Sequence, residues 1–293
     1  MEGVSFMPAG KARIGWLTIV VVTLSALSLL SLVWIGYHSG HTTVHSTAEW
    51  VQLTHFSDAA QEPELSPDGR MLAFVREKSL ESGLPFLAKG EVYAMLLPDG
   101  QAQQLTHDDI SKGMIAFSSD GSRIAYTIAS SWDTWVLPSL GGQSSLLLPN
   151  ASGLHWIDSK RVLFSEIKNG IHMGIVTAGE GRTDAHDVYL PKTSNGMAHA
   201  SRISPDQKWV LISGEMDDSG FLPCRLVPFD GSSSGRSVGP PGAQCFYAVW
   251  SPDGKWMYFG ANAGQGKRIL SVQFCLRSLR QLIHLPLRWL RSA

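Results

Sequence analysis

Leu65-Ser66-Pro67-Asp68-Gly69-Arg70-Met71-Leu72-Ala73-Phe74 decides the fold, because it comes back. It returns as Phe117-Ser118-Ser119-Asp120-Gly121-Ser122-Arg123-Ile124-Ala125-Tyr126 and as Ile203-Ser204-Pro205-Asp206-Gln207-Lys208-Trp209-Val210-Leu211-Ile212. A further copy reads Trp250-Ser251-Pro252-Asp253-Gly254-Lys255-Trp256-Met257-Tyr258-Phe259. The aspartates at 68, 120, 206 and 253 stand 52, 86 and 47 residues apart. The middle gap is two units long and holds a degraded copy, Trp156-Ile157-Asp158-Ser159-Lys160-Arg161-Val162-Leu163-Phe164. Five copies at one period are the mark of a repeat architecture.

Each copy has a mechanical reading. Proline presets φ for the first central turn position, aspartate hydrogen-bonds its own backbone and glycine accepts positive φ. Asp68, Gly69, Asp120, Gly121, Asp206, Asp253 and Gly254 are therefore read as turn residues, one corner per repeat. The β-branched and aromatic residues on either side read as two strands joined by that corner. A third strand follows in each unit (Val92 to Leu97, Thr134 to Leu137, Met173 to Thr177, Cys224 to Phe229), and Gln104-Leu105-Thr106-His107 reads as a fourth. Four strands per 40–50 residues is the period of a propeller blade. Trp50-Val51-Gln52-Leu53-Thr54-His55 matches the fourth strand but precedes the first full repeat. It is expected to complete the last blade and close the ring, which removes two exposed sheet edges.

At these residues the chain resembles TolB-like propellers, relatives of the WD-repeat group, whose repeats carry Trp/Phe-Ser-Pro-Asp-Gly, a short apolar strand and a later Leu-Thr strand. The resemblance covers Trp50 to about Ala263. It implies an all-β propeller of about five to six four-stranded blades, and it implies little about activity.

Ahead of the repeats, Ile14 to Tyr37 carries no charge. As a helix it would be about 36 Å long, enough for a hydrocarbon core of roughly 30 Å. Trp16, Trp34 and Tyr37 stand near its ends, where aromatic rings settle at membrane interfaces. Lys11 and Arg13 precede it, and no further Lys or Arg appears until Arg70. The sequence thus predicts one transmembrane helix before the propeller, with the lipid bilayer as a partner. Residues 1–13 would be cytoplasmic, and the propeller would lie in the periplasm or exterior, on the far side of the inner membrane. A cleaved signal peptide fits less well, because the apolar run is too long and Ser46-Thr47-Ala48 lies well beyond it. The expected organisation is 1–13 cytoplasmic, 14–37 membrane helix, 38–49 stalk, 50–265 propeller and 266–293 atypical tail.

That tail, Gly266 to Ala293, holds six Lys or Arg and no Asp or Glu. It reads either as a basic amphipathic helix or as a segment foreign to the repeat, such as a truncated or frame-shifted blade. Loss of turn chemistry together with Pro286 favours the second. The composition of the whole chain agrees with a turn-rich fold. Its 293 residues are 44% hydrophobic, with net charge −1. This excludes a disordered chain and offers no concentrated basic face for nucleic acid.

The sequence offers no constellation that carries chemistry. Gly231-Ser232-Ser233-Ser234-Gly235 fits the nucleophile-elbow pattern, but it follows an Asp-Gly turn and leads into Gly239-Pro240-Pro241-Gly242, which is loop chemistry. His38, His41 and His45 cluster without a second layer of residues to orient them on a metal. His55 and His107 follow Leu-Thr at equivalent positions and read as blade residues. Cys224 is placed on a third strand and Cys245 at the start of the next blade, so a bridge between them is not favoured. No catalytic, cofactor-binding or metal residue is assigned.

Three functions are compatible with these features. The first is a non-enzymatic, membrane-anchored binding or scaffold module holding a protein, peptide or glycan at the ring mouth, through the loops Glu77 to Gly90, Ser130 to Asp133 and Glu215 to Gly220. The second follows from the resemblance: membrane-anchored TolB-like propellers are similar to sensor halves of bacterial regulators, here lacking a winged-helix or Ser/Thr kinase output domain. A hydrolase ranks last, since fold alone carries no chemistry.

Overall fold

The computed structural model describes residues 52–77, 86–239, 242–262, 267–273 and 288–290, together with Gly15, Leu24, Ser25, Leu27 and Ser28. The chain divides into two compact units, Met1–Gln52 and Leu53–Ala293. The second is built from antiparallel four-stranded sheets, five of them among the described residues.

The first blade comprises β1 (Ala59–Leu65), β2 (Met71–Glu77), β3 (Leu87–Leu96) and β4 (Gln103–Gln104). The second holds β5 (Ser111–Phe117), β6 (Arg123–Ile128), β7 (Asp133–Pro138) and β8 (Ser145–Leu148). The third holds β9 (Ser152–Trp156), β10 (Arg161–Asn169), β11 (His172–Gly179) and β12 (His186–Tyr189). In the fourth, β13 (Met197–Ile203), β14 (Trp209–Asp217), β16 (Arg225–Pro228) and β17 (Arg236–Ser237) are joined by the short β15 (Gly220–Phe221). The fifth is β18 (Gln244–Trp250), β19 (Trp256–Asn262), β20 (Lys267–Gln273) and β21 (Arg288–Leu290).

Adjacent blades are stitched at their inner ends. The start of β3 pairs with β5 through Leu87–Gly113 and Lys89–Ser111, and β11 touches β13 at Met173–Met197. The second strands of the three middle blades, β6, β10 and β14, read as near-continuous apolar runs because a neighbouring blade covers each of their faces. One core layer joins blades one and two around Val75, Ile115 and Tyr126, and the next joins two and three around Leu154 and Phe164. A third layer, around Leu163, Ile175 and Val210, joins blades three and four, and a fourth, around Leu211, Cys245 and Phe259, joins four and five. Each such side chain contributes about 1.5–3 kcal/mol of burial.

The free face of blade one is covered differently from the expectation. Residues 52–56 form no strand. Instead Phe56 packs on Phe74 at 5.7 Å, under the guanidinium of Arg76, which is itself held by Asp58 at 2.8 Å. The partner of β20 is β21, drawn from the tail, and not the Leu53-Thr54 segment. An aromatic lid on the apolar face of β2 competed successfully with strand pairing there. Both β20 and β21 fall in the 266–293 stretch.

The membrane expectation is corrected. Among the described residues no helix is long and apolar enough to cross a membrane. Of the Ile14 to Tyr37 run only Gly15, Leu24, Ser25, Leu27 and Ser28 are described, the last four with helical backbone. Lys11, Arg13, Trp16, Trp34, Tyr37 and the histidines at 38, 41 and 45 lie outside the described residues. The propeller preceded by a transmembrane helix, the lipid-bilayer partner and the single-pass inner-membrane location with a periplasmic propeller had all rested on apolar length and charge asymmetry. Both are properties of composition, which permits a span without forming one.

Candidate binding site on the ring axis

Each corner of the repeat is built around its serine. Ser66 Oγ donates to Asp68 Oδ1 at 2.6 Å and accepts from Met71 N at 2.9 Å, while Gly69 N donates to Ser66 O. The same contacts recur at Ser118 and Asp120, Ser204 and Asp206, and Ser251 and Asp253. All four serines are buried. The hydroxyl of Ser66, followed by the Arg70 amide, holds Asp68 below the usual carboxylate range. Asp120 is held lower still by Ser118 and Ser122. Proline and glycine of successive corners also meet: a Cβ on Gly121 would touch Pro67, and one on Gly254 would touch Pro205. These residues form one end of the ring and do not converge on a site.

The convergence lies six residues upstream of each aspartate, on the inner strands. There β1, β5, β9 and β18 all slip register in β-bulges, between Gln61 and Glu64, Gly113 and Ala116, Ser152 and His155, and Cys245 and Tyr247. Glu62, Met114 and Gly153 take left-handed φ values of 54°, 51° and 58° at these bulges. In the fourth blade β13 stays regular, and the left-handed residue is Gly214 on the neighbouring strand, φ 66°. A bulge re-aims side chains, and a left-handed non-glycine residue costs of order 1–3 kcal/mol. Here the bulges turn Glu62, Met114 and Tyr247 toward the axis. Gly153 is needed for another reason: a Cβ there would lie 2.4 Å from His199 O on the next inner strand.

The result is an axial cavity of 370 Å³ to which all five inner strands contribute. Its walls are apolar at Met114, Ile115, Phe246 and Val249, and its charged groups are Glu62, Glu64 and Arg202. Arg202 Nη2 donates to Glu64 Oε2 at 3.2 Å. Both residues, with Val249, also line a second cavity of 360 Å³ that runs toward the corner end past His155 and Trp250. The ion pair therefore partitions the axis into two chambers.

At the other end an aromatic cluster closes over the axis. Phe86 lies 4.7 Å from the His199 ring, Trp132 stacks on His199 at 5.3 Å, and Phe221 meets Phe86 and Phe246 edge-on. Phe86, Trp132 and Phe221 come from or adjoin the three loops named as candidate contacts; 78–85 lies outside the described residues.

Burial dominates the electrostatics. It raises Glu62 to about 7, against hydrogen bonds from the Tyr247 hydroxyl and, at 3.0 Å, the Met114 amide. It also raises Glu64, with Arg202 pulling the other way. Burial pushes His155 down to about 3 and His199 to about 4. Among the described residues, the buried side-chain polar atoms without a hydrogen-bond partner are Glu62 Oε1, Ser152 Oγ, His155 Nδ1, both ring nitrogens of His199 and Ser201 Oγ. Every one sits on an inner strand. Such atoms are rare in folded proteins and each calls for an explanation.

Elsewhere the structure settles smaller questions. Gly231 to Gly235 is loop, with Ser232 N donating to Asp230 Oδ1 at 2.9 Å and no helix following. Cys224 and Cys245 are joined in a disulfide, their Cα atoms 5.2 Å apart, contrary to the sequence expectation. The reason lies in the chain's return: Cys245 N donates to Leu222 O and Val238 N to Cys224 O, which brings the start of the next blade's inner strand beside β16. Among the described residues no three His, Cys, Asp or Glu side chains gather to hold a metal. The axial residues escaped sequence reading because they share no chemistry. Their signal was positional, a site six before each aspartate occupied by Glu62, Met114, Ala200 and Tyr247 within an otherwise uniform repeat.

Five radial sheets around a lined axis define a β-propeller. Comparison with known proteins agrees on the fold. The chain superimposes on a protein assigned as TolB from Agrobacterium tumefaciens with a TM-score of 0.58 at 18% identity, covering 75% of this chain and 79% of that one. TolB from Acinetobacter baumannii gives 0.60 at 16%, covering 75% of this chain and 53% of that one. An oligogalacturonate lyase from Vibrio parahaemolyticus gives 0.51 at 15%, covering 76% and 65%. No family model matches the chain, and no curated protein matches it in sequence. The fold is TolB-like, and proteins sharing it include both TolB proteins and a lyase, so the fold leaves the chemistry open.

Proposed function

We propose that the propeller is a binding module that does no chemistry of its own and takes an extended segment of a partner protein into the axial cavity. The observation that carries this reading is the convergence of five inner strands on one cavity, where the buried Glu62 Oε1 is left without a hydrogen-bond partner inside the protein. Ligand sites are concave, mostly apolar and marked by a few convergent polar groups, and the cavity volume falls in their usual range. Its size suits one or two side chains and excludes a folded domain. Against a catalytic role stands the spacing of the titratable groups: Glu64 is neutralised by Arg202, and His199 is packed between Phe86 and Trp132.

The test is selection of peptides from a displayed random library on the full chain. Selected peptides are expected to lose binding to Ala200→Trp and Val249→Trp, which fill the cavity, and to keep it with Ser122→Ala at a corner. Melting curves of the variants verify folding. Peptides that bind both filled variants as well as the parent chain overturn the reading, as does a selection that yields no binder.

A further inference from the structure

Within that binding reading, on which this inference rests, the geometry points to a specific recognition element: Glu62 is the receptor for the cationic head of a lysine or arginine side chain carried by the partner segment.

Four observations converge on Glu62. First, the β1 bulge and its left-handed backbone turn this carboxylate into the cavity instead of toward solvent. A backbone conformation this costly for a side-chain-bearing residue persists only where its surroundings enforce it. Second, the partners within the protein leave one carboxyl oxygen unserved: Oε2 accepts from Met114 N at 3.0 Å and the Tyr247 hydroxyl reaches the group, while Oε1 is buried without a hydrogen-bond partner. Third, among the described residues lining the cavity no cation is free to serve it. Arg202 is the sole cationic side chain among the residues lining the cavity, and it is committed to Glu64 at 3.2 Å. With Glu62 ionised, the three charges leave the cavity one negative charge in excess.

Fourth, the surroundings match the rest of such a side chain. Met114, Ile115 and Val249 offer apolar walls for its methylene stem, which long cationic side chains bury readily. Tyr247, half-exposed at the cavity edge, sets its hydroxyl on the Glu62 carboxyl and offers its ring face to a cation. The raised pKa of Glu62 fits this picture, since a buried carboxylate with no counter-cation holds its proton. An anionic ligand would have to displace Glu64 from Arg202 while facing Glu62, and is disfavoured by the same charges.

The experiment uses the full chain and three peptides, Ac-Leu-Lys-Leu-NH2 and its norleucine and glutamate counterparts, titrated calorimetrically at one ionic strength. The lysine peptide is expected to bind about tenfold or more tightly than the norleucine peptide, the effect of one charge-assisted contact. Glu62→Gln is expected to erase that preference, and Tyr247→Leu to reduce it. Melting curves of both variants confirm the fold, and either variant alone suffices to read the preference. Equal binding of lysine and norleucine peptides, tighter binding of the glutamate peptide, or a lysine preference that survives Glu62→Gln overturns the inference while leaving the binding reading intact. Absence of binding by all three also overturns the inference; the binding reading is then judged by the displayed library.

Discussion

Arg202 of the fourth blade donates a hydrogen bond to Glu64 of the first at 3.2 Å, joining residues 138 apart in sequence across the middle of the ring. This chord ties blades that are not neighbours in the chain and that otherwise meet through Phe86 against His199 and Phe221, and it also divides the axial space. Both side chains are only about a fifth exposed. Removing one partner from such a pair strands the other, whereas removing both is much better tolerated.

Arg202→Met is therefore expected to destabilise the chain by about 2 kcal/mol, discounted from the fully buried case for its partial exposure. Arg202→Met combined with Glu64→Leu is expected to recover most of the loss. Urea unfolding of the two singles and the double measures it, with a coupling near zero counting against the chord.

The corners make a second prediction. Ser118 is 1% exposed and serves both Asp120 and the Arg123 amide. Ser118→Ala should cost about 1–2 kcal/mol by leaving that amide unpaired. Asp120 has a folded pKa held below its ordinary 3.8, chiefly by the Ser118 hydroxyl. Its stabilisation is thus in place above pH 3.8 and lost as pH falls below that value toward the folded pKa. Melting temperatures at pH 5 and pH 3 should show a smaller acid loss in Ser118→Ala than in the parent.

Glu62 and His199 oppose one another in their pH dependence. Glu62 stands at about 7 when folded against an ordinary 4.5, so its contribution is fully present below pH 4.5 and fades as pH rises through 7. His199 stands at about 4 against 6.5, so the unfolded chain takes up a proton the folded one refuses. Its contribution is present above pH 6.5 and fades as pH falls toward 4, and His155 acts in the same direction. Between pH 4.5 and 6.5, Glu62→Gln should leave stability rising more steeply with pH than in the parent. His199→Leu should make it rise less steeply or fall. Unfolding free energies measured across that window read both slopes.

Gly153 is left-handed and lies against the backbone of His199. Gly153→Ala is expected to cost about 2–4 kcal/mol, since neither strain nor overlap can be relieved by a flexible side chain. Gly181, where a Cβ meets nothing within 4 Å, supplies the control. Gly181→Ala should stay within about 0.5 kcal/mol of the parent. Thermal melts of the pair suffice.

The Cys224–Cys245 bridge closes a loop of sequence separation 21 between blades four and five. Its loss in Cys224→Ser with Cys245→Ser should cost about 3 kcal/mol by the loop-entropy relation. Peptide mapping without reductant checks the pairing, and denaturant unfolding checks the cost.

The blades were legible in the sequence because turn chemistry is local. Pro67, Asp68 and Gly69 dictate their corner whatever surrounds them, and the apolar runs beside them follow from coverage on both faces. Ser66 and its equivalents recur just as faithfully, yet their role needs the closed hairpin to appear. Three features were not legible, each for a non-local reason. Phe56 leaves strand pairing because Phe74 and Arg76 offer it a better seat. Cys245 approaches Cys224 only once β18 has returned beside β16. Glu62 becomes a site residue through a bulge whose sequence, Gln61-Glu62-Pro63-Glu64, carries no turn signature beyond the proline.

A crystal structure of the full chain with a library-selected peptide tests the central claim most directly. The peptide is expected on the ring axis, a side chain seated between Glu62 and Tyr247 with five sheets arrayed around it. A peptide bound on the outer rim, or sheets that fail to surround a common axis, would contradict it.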